Sequence, residues 1–223
     1  MLNEIAVENF TLVPAAMQAG AQRIELTGNL PSGGLTPSKG VMAETLKYCH
    51  EHNMTVVAMN RPRGGDYYFN DIELKMMEAD MFEMQALGVD AVIFGVLTRD
   101  NHIDEDAMTN LIAAAGGMDL VCNLAFDWIP RADQHAALDW LVEHGFRRIL
   151  THGGLLDTNV VDNIPVLQET AQWAGDKIEL LPGGGVNDSN KEQVTQAMGV
   201  NQAHGTHLLG ELVPAVPVNE RPL

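Results

Sequence analysis

One pattern constrains the fold of this chain more than any other: a helix-like amphipathic stretch, a glycine, a short spacer, then a short β-rich run. The glycines are Gly20, Gly88, Gly116, Gly145, Gly175 and Gly199, and the four central ones are separated by 28, 29 and 30 residues. Glycine adopts the left-handed conformation that stops a helix at no steric cost, so each unit reads as helix, stop, strand. The strands are Arg23–Leu26, Ala91–Phe94, Leu120–Cys122, Arg148–Thr151, Lys177–Leu181 and, more weakly, Val200–His204; Glu4–Val7 and Thr55–Met59 bring the count to eight. Helix starts are expected at Pro14, Asn70 or Asp71, Asp104, Pro130, and Asp188 or Ser189. Strand and helix alternating in this way give parallel strands with right-handed crossovers, and eight such units close a (β/α)8 TIM barrel.

The last unit is short. An eighth helix has room only at about Thr206 to Leu212, ahead of Pro214, Pro217 and Pro222. The expectation is a single barrel domain over residues 1–212 with a shortened C-terminal helix, then a Pro-rich tail over 213–223. Such a helix would leave apolar strand surface bare, which a homodimer would bury. Alternatively the tail itself wraps the barrel.

Charge and composition narrow the partners. Thirty acidic residues stand against 13 basic ones in 223, a formal charge of −17. Nucleic-acid binding draws on clustered Lys and Arg, so nucleic acid and anionic membranes are excluded as expected partners. The first residues show no basic start followed by an apolar run, and no stretch is long enough to span a bilayer. With only Cys49 and Cys122, neither a disulfide framework nor an all-cysteine zinc site is possible. The chain reads as cytoplasmic, with a small molecule or metal ion as its partner.

In barrels the chemistry sits on the loops that follow the strands, and here those loops carry the special residues. They include Gly33-Gly34-Leu35-Thr36-Pro37-Ser38, Arg61-Pro62-Arg63-Gly64-Gly65-Asp66, Gly95-Val96-Leu97, Ala125-Phe126-Asp127, Thr151-His152-Gly153 and Gly183-Gly184-Gly185. Together with Glu4-Ile5 and Arg23-Ile24-Glu25-Leu26, these segments resemble the CutC family in order and spacing from Glu4 to about His204. The resemblance implies a cytoplasmic TIM barrel associated with copper homeostasis. It implies no established reaction. Chains of this family often carry cysteines just after the first two strands, where this one has Ala6, Val7 and Thr27. Copper is thus implied by the resemblance while the usual Cu(I) ligands are absent.

Individual residues then divide by chemistry. Glu4 and Glu25 interrupt apolar strands, so each is either an inward site residue or half of a buried ion pair with an arginine such as Arg61. Arg61 and Arg63 are candidate anion ligands, with the alternative that they pair with the chain's own carboxylates. Gly183, Gly184 and Gly185 follow strand 7, where barrels often bind phosphate through backbone N–H groups. Asn123 and Thr151 lie at strand ends as candidate ligand contacts. Asn123 facing the mouth would turn Cys122 toward the helices. Glu25, Asp127 and His204 are candidate proton carriers. His152, His204 and His207 are candidate metal ligands, which could converge with Glu25 and Asp127. Met77, Met81 and Met84 share a helical stripe and read as core. The leading expectation is a copper-homeostasis protein binding a metal ion or small ligand at the barrel mouth. The alternative is an enzyme acting on a small anionic, possibly phosphorylated, substrate.

Overall fold

The computed structural model describes residues 1–214. Eight parallel strands stand side by side in the order β7-β6-β5-β4-β3-β2-β1-β8. They are β1 (Leu2–Glu8), β2 (Arg23–Thr27), β3 (Thr55–Met59), β4 (Ala91–Phe94), β5 (Asp119–Cys122), β6 (Phe146–Thr151), β7 (Glu179–Pro182) and β8 (Gln202–Gly205). Seven helices alternate with them: α1 (Val13–Gln18), α2 (Lys39–Glu51), α3 (Asp71–Leu87), α4 (Glu105–Ala115), α5 (Gln134–Glu143), α6 (Ile164–Ala174) and α7 (Lys191–Met198). The result is a nearly closed TIM barrel. Among the described residues no ladder joins β7 to β8; there the Gln202 amide donates to Leu180 O at 3.3 Å across the seam.

Three of the six recurring glycines stop their helices as the spacing implies, while α1 and α5 are capped one residue earlier, at Ala19 and His144, and Gly175 ends α6 in another conformation. Gly88, Gly116 and Gly199 cap α3, α4 and α7 in the left-handed conformation. Asn70 opens α3 with a capping box and Asp104 caps α4. Two expected starts move. The cap of α5 is Asp133, because Pro130 begins the preceding turn, and the cap of α7 is Asn190, with residues 188–190 in a turn.

The C-terminal unit departs from expectation. Among the described residues no eighth helix forms over 206–212. Leu208 is fully buried, and Leu209 and Leu212 pack against the outer core, so an irregular segment covers what a helix would have covered. The expected tail over 213–223 lies, from residue 215 on, outside the described residues.

Strand alternation makes two cores. Outward-facing Ile5, Ile24, Leu26, Val56, Cys122 and Ile149 pack against helix residues including Met77, Met81 and Met84. The inward residues divide by sector. From β3 to β7 they are mostly apolar, namely Val57, Met59, Ala91, Ile93, Val121, Leu150 and Leu181, with buried Arg148 on β6 the charged exception. On β8, β1 and β2 the same inward parity delivers His204, Glu4, Arg23 and Glu25, all buried.

Candidate functional site

A cavity of about 280 Å³ opens at the C-terminal ends of the strands. Its polar lining includes Glu25, Asn123 and His204, its apolar lining includes Met59, Leu124, Leu150 and Leu156, and Gly184 and Gly185 form part of the rim. A wider depression of about 880 Å³ lies at the opposite end of the barrel. There Arg147 already meets Asp119, and Lys177 meets Asp139, in ion pairs.

Beneath the mouth lies a buried ionic cluster. Glu4 bonds Arg23 through one carboxylate oxygen and His204 Nδ1 through the other, at 2.8 Å. His204 Nδ1 is also 3.7 Å from Glu25 Oε2, an oxygen with no hydrogen-bond partner among the described residues. One donor atom each from Glu4, Glu25 and His204 lie within 4.8 Å of one another. Burial alone would raise the Glu4 pKa, but Arg23 and His204 outweigh it and hold the carboxyl at about 2. For Glu25 burial wins and pushes it up to about 7, with His204 and Arg23 opposing the shift and Glu4 adding to it. For His204 burial opposes the charge, yet Glu25 and Glu4 prevail and raise its pKa.

The other site candidates fall into separate groups. Asp127 accepts from Thr151 Oγ1 at 2.6 Å, His152 N at 2.7 Å and Gly153 N at 3.2 Å. Burial nevertheless raises its pKa to about 7, the three donors working against that shift. Asp127 and Thr151 thereby tie the β5 and β6 loops together, and neither lines the mouth cavity. His152 is buried beside this carboxylate, and among the described residues its Nδ1 has no partner. His207 is exposed on the rim. The three histidines therefore do not converge. The structure instead groups His204 with two glutamates.

The arginines are engaged elsewhere. Glu4 pairs with Arg23, not with Arg61. The Arg61 guanidinium donates to the carbonyls of Ser32, Gly33 and Gly65 and lies over the Tyr67 ring, joining two mouth loops from behind. Arg63 bridges Asp66 and Glu73 outside the cavity. Sequence reasoning passed over Arg23. Its parity with Glu25 on one strand was the available signal, but nothing local showed that it lies beside Glu4. Tyr67 and Met59 carried no such signal.

The CutC family profile matches residues 1–209. This chain belongs to the CutC family. It is 44% identical over 209 residues to the CutC family protein of Enterococcus faecalis, covering 94% of this chain and all of that one. It is 34% identical to the human copper homeostasis protein cutC homolog, over 91% of this chain and 72% of the human one. The solved CutC structure from Streptococcus agalactiae superposes with a TM-score of 0.91 at 42% identity, covering 93% of this chain and 99% of that chain.

The donors of this CutC member do not suit Cu(I), which favours thiolate and thioether ligands. Cys122 faces the helices and burial pushes its thiol up to about 12, while Cys49, on the buried face of α2, is pushed up to about 11. Among the described residues the only sulfur-bearing side chain lining the mouth cavity is Met59. Two carboxylates and an imidazole are the ligand types of a divalent ion.

Proposed function

We propose that this protein acts in copper homeostasis by binding a metal ion or small ligand at the barrel mouth, with Glu4, Glu25 and His204 as the donors. The names of its relatives support the cellular role. The observation that carries the binding role is the unpartnered Glu25 carboxylate oxygen, buried within reach of His204 at the floor of an open cavity. A buried carboxylate left without a partner is costly, and a ligand or cation would offset that cost. On the donor types, a bound copper ion is Cu(II) and not Cu(I). Titration with Cu(II), Zn(II) and, under reducing conditions, Cu(I) tests this. The expected result is one equivalent of divalent ion lost in Glu25→Gln and His204→Ala; tight Cu(I) binding lost with Cys49 or Cys122 overturns the assignment of donors.

A second reading is favoured by the placement of two proton carriers side by side on the cavity floor. Glu25, with a pKa of about 7, and His204 suit general acid–base work on a small anionic substrate. A cytoplasmic location and a homodimer belong to the same proposal. No helix of the described chain is long and apolar enough to cross a membrane. The exposed Ile72, Met76 and Phe82 of α3 supply apolar surface for a second copy, to be tested by the mass in solution.

A further inference from the structure

The mouth cavity offers more hydrogen-bond donors than its own residues use. The backbone N–H groups of Gly184, Gly185 and Val186 have no acceptor among the described residues, and all three residues line the cavity. Asn123 is 2% exposed and uses Oδ1 to accept from Ala125 N at 3.0 Å. That bond fixes the amide orientation and leaves Nδ2, among the described residues, without a partner on the cavity wall. The Tyr67 hydroxyl is also free of any such partner, on a ring held by Arg61 on its face and by the edge contact with Trp128.

Donors without acceptors in a half-enclosed space call for a ligand rich in oxygen. The kind of oxyanion follows from what is missing. No Lys or Arg side chain is among the described lining residues, and Glu25 is the one carboxylate there. A dianionic phosphate would meet backbone dipoles and a like charge, while the imidazole of His204 on the same lining is already held by Glu4 and faces Glu25. A single carboxylate needs far less compensation. The remaining wall, with Met59, Leu150 and Leu156, is apolar, and the volume of about 280 Å³ sits just below the range of drug-sized pockets.

We propose that the mouth takes a small organic monocarboxylate. Its carboxylate lies on the N–H groups of Gly184, Gly185 and Val186, its short apolar body lies against Met59, Leu150 and Leu156, and Asn123 and Tyr67 donate to a second oxygen. This rests on the reading of the mouth as a ligand site, and it replaces a phosphorylated substrate with a carboxylic one.

The test titrates isobutyrate and 2-oxobutanoate into the full-length ¹⁵N-labelled protein at mildly alkaline pH, with inorganic phosphate, isobutylamine and Zn(II) as comparison probes. Both carboxylates are expected to move the Gly184 and Gly185 amide resonances saturably and to displace one another. Asn123→Ala should weaken 2-oxobutanoate more than isobutyrate, which lacks the second oxygen. Glu25→Gln should tighten both by about tenfold, since it removes a like charge. Phosphate or isobutylamine binding as tightly as the carboxylates overturns the proposal, as does carboxylate binding that leaves the two glycine amides unmoved. Zinc binding without carboxylate binding overturns it while leaving a metal site at the mouth. No binding by any probe overturns both readings.

Discussion

Nδ1 of His204 lies 2.8 Å from a carboxylate oxygen of Glu4, a residue 200 positions earlier in the chain. The two are register partners where β8 pairs with β1, so the contact exists only because the sheet curls round until its last strand meets its first. Arg23, on the next strand, holds the other Glu4 oxygen. One carboxylate thus joins three strands at the sector where the barrel interior turns from apolar to charged.

Glu4→Gln should therefore be more damaging than its small change in shape suggests. It would leave the Arg23 guanidinium buried without its counterion, a loss of about 3–5 kcal/mol by the usual cost of breaking a buried pair. Urea unfolding would measure this. A midpoint within error of the native protein would show that Glu4 and Arg23 do not depend on each other.

The pH dependence of stability follows from Glu25. Its pKa is about 7 in the folded chain against 4.5 for the free group, so between those values the folded state holds a proton that the unfolded state has released. Stability should fall as pH rises through that window and then level off with respect to this group, the total being on the order of 3 kcal/mol. His204, with a raised pKa, adds a further decline as pH climbs through its folded value. In Glu25→Gln the decline between 4.5 and about 7 should shrink. A curve identical to the native one would remove Glu25 as its source.

Arg61→Lys tests the role the structure gives that side chain. Lysine cannot reach three carbonyls as a planar fork or stack on Tyr67 in the same way, so a loss of about 1–3 kcal/mol is expected. Faster amide exchange should accompany it in residues 28–36 and 62–68. Unchanged exchange in both loops would contradict the bracing role.

Two glycines should respond in opposite directions to alanine. A Cβ at Gly95 would stand 2.6 Å from Asn123 Oδ1 and 2.7 Å from the Ala125 Cβ, so Gly95→Ala should cost about 1–3 kcal/mol and displace Asn123 from the cavity wall. Gly40 sits in α2 with nothing within 4 Å of such a Cβ, and Gly40→Ala should stabilise the chain by about 0.5 kcal/mol. Thermal melts of the two variants would show whether the signs differ.

Much of the fold was legible along the chain because its signals are local. A helix stop at Gly88 or Gly116 depends on the backbone freedom of one residue. The inward direction of Glu25 follows from having Ile24 and Leu26 on either side, both in the outer core. The C-terminal unit departs from its sequence pattern for an equally local reason. The length between His204 and Pro214 allows a helix, whereas its actual conformation answers to the apolar surface that Leu208, Leu209 and Leu212 must cover.

The amino-acid order by itself determined the eight strand–helix units, the family and the parity that sends Glu4, Arg23, Glu25 and His204 toward the barrel axis, since these depend on short-range periodicity and residue type. Only the tertiary structure decided that Arg23 and not Arg61 holds Glu4, that Asp127 is occupied tying two loops together, and that His204 parts company with His152 and His207. Which charges meet inside a closed sheet depends on strand register and curvature, and these are set by packing the whole ring at once rather than by any segment of it.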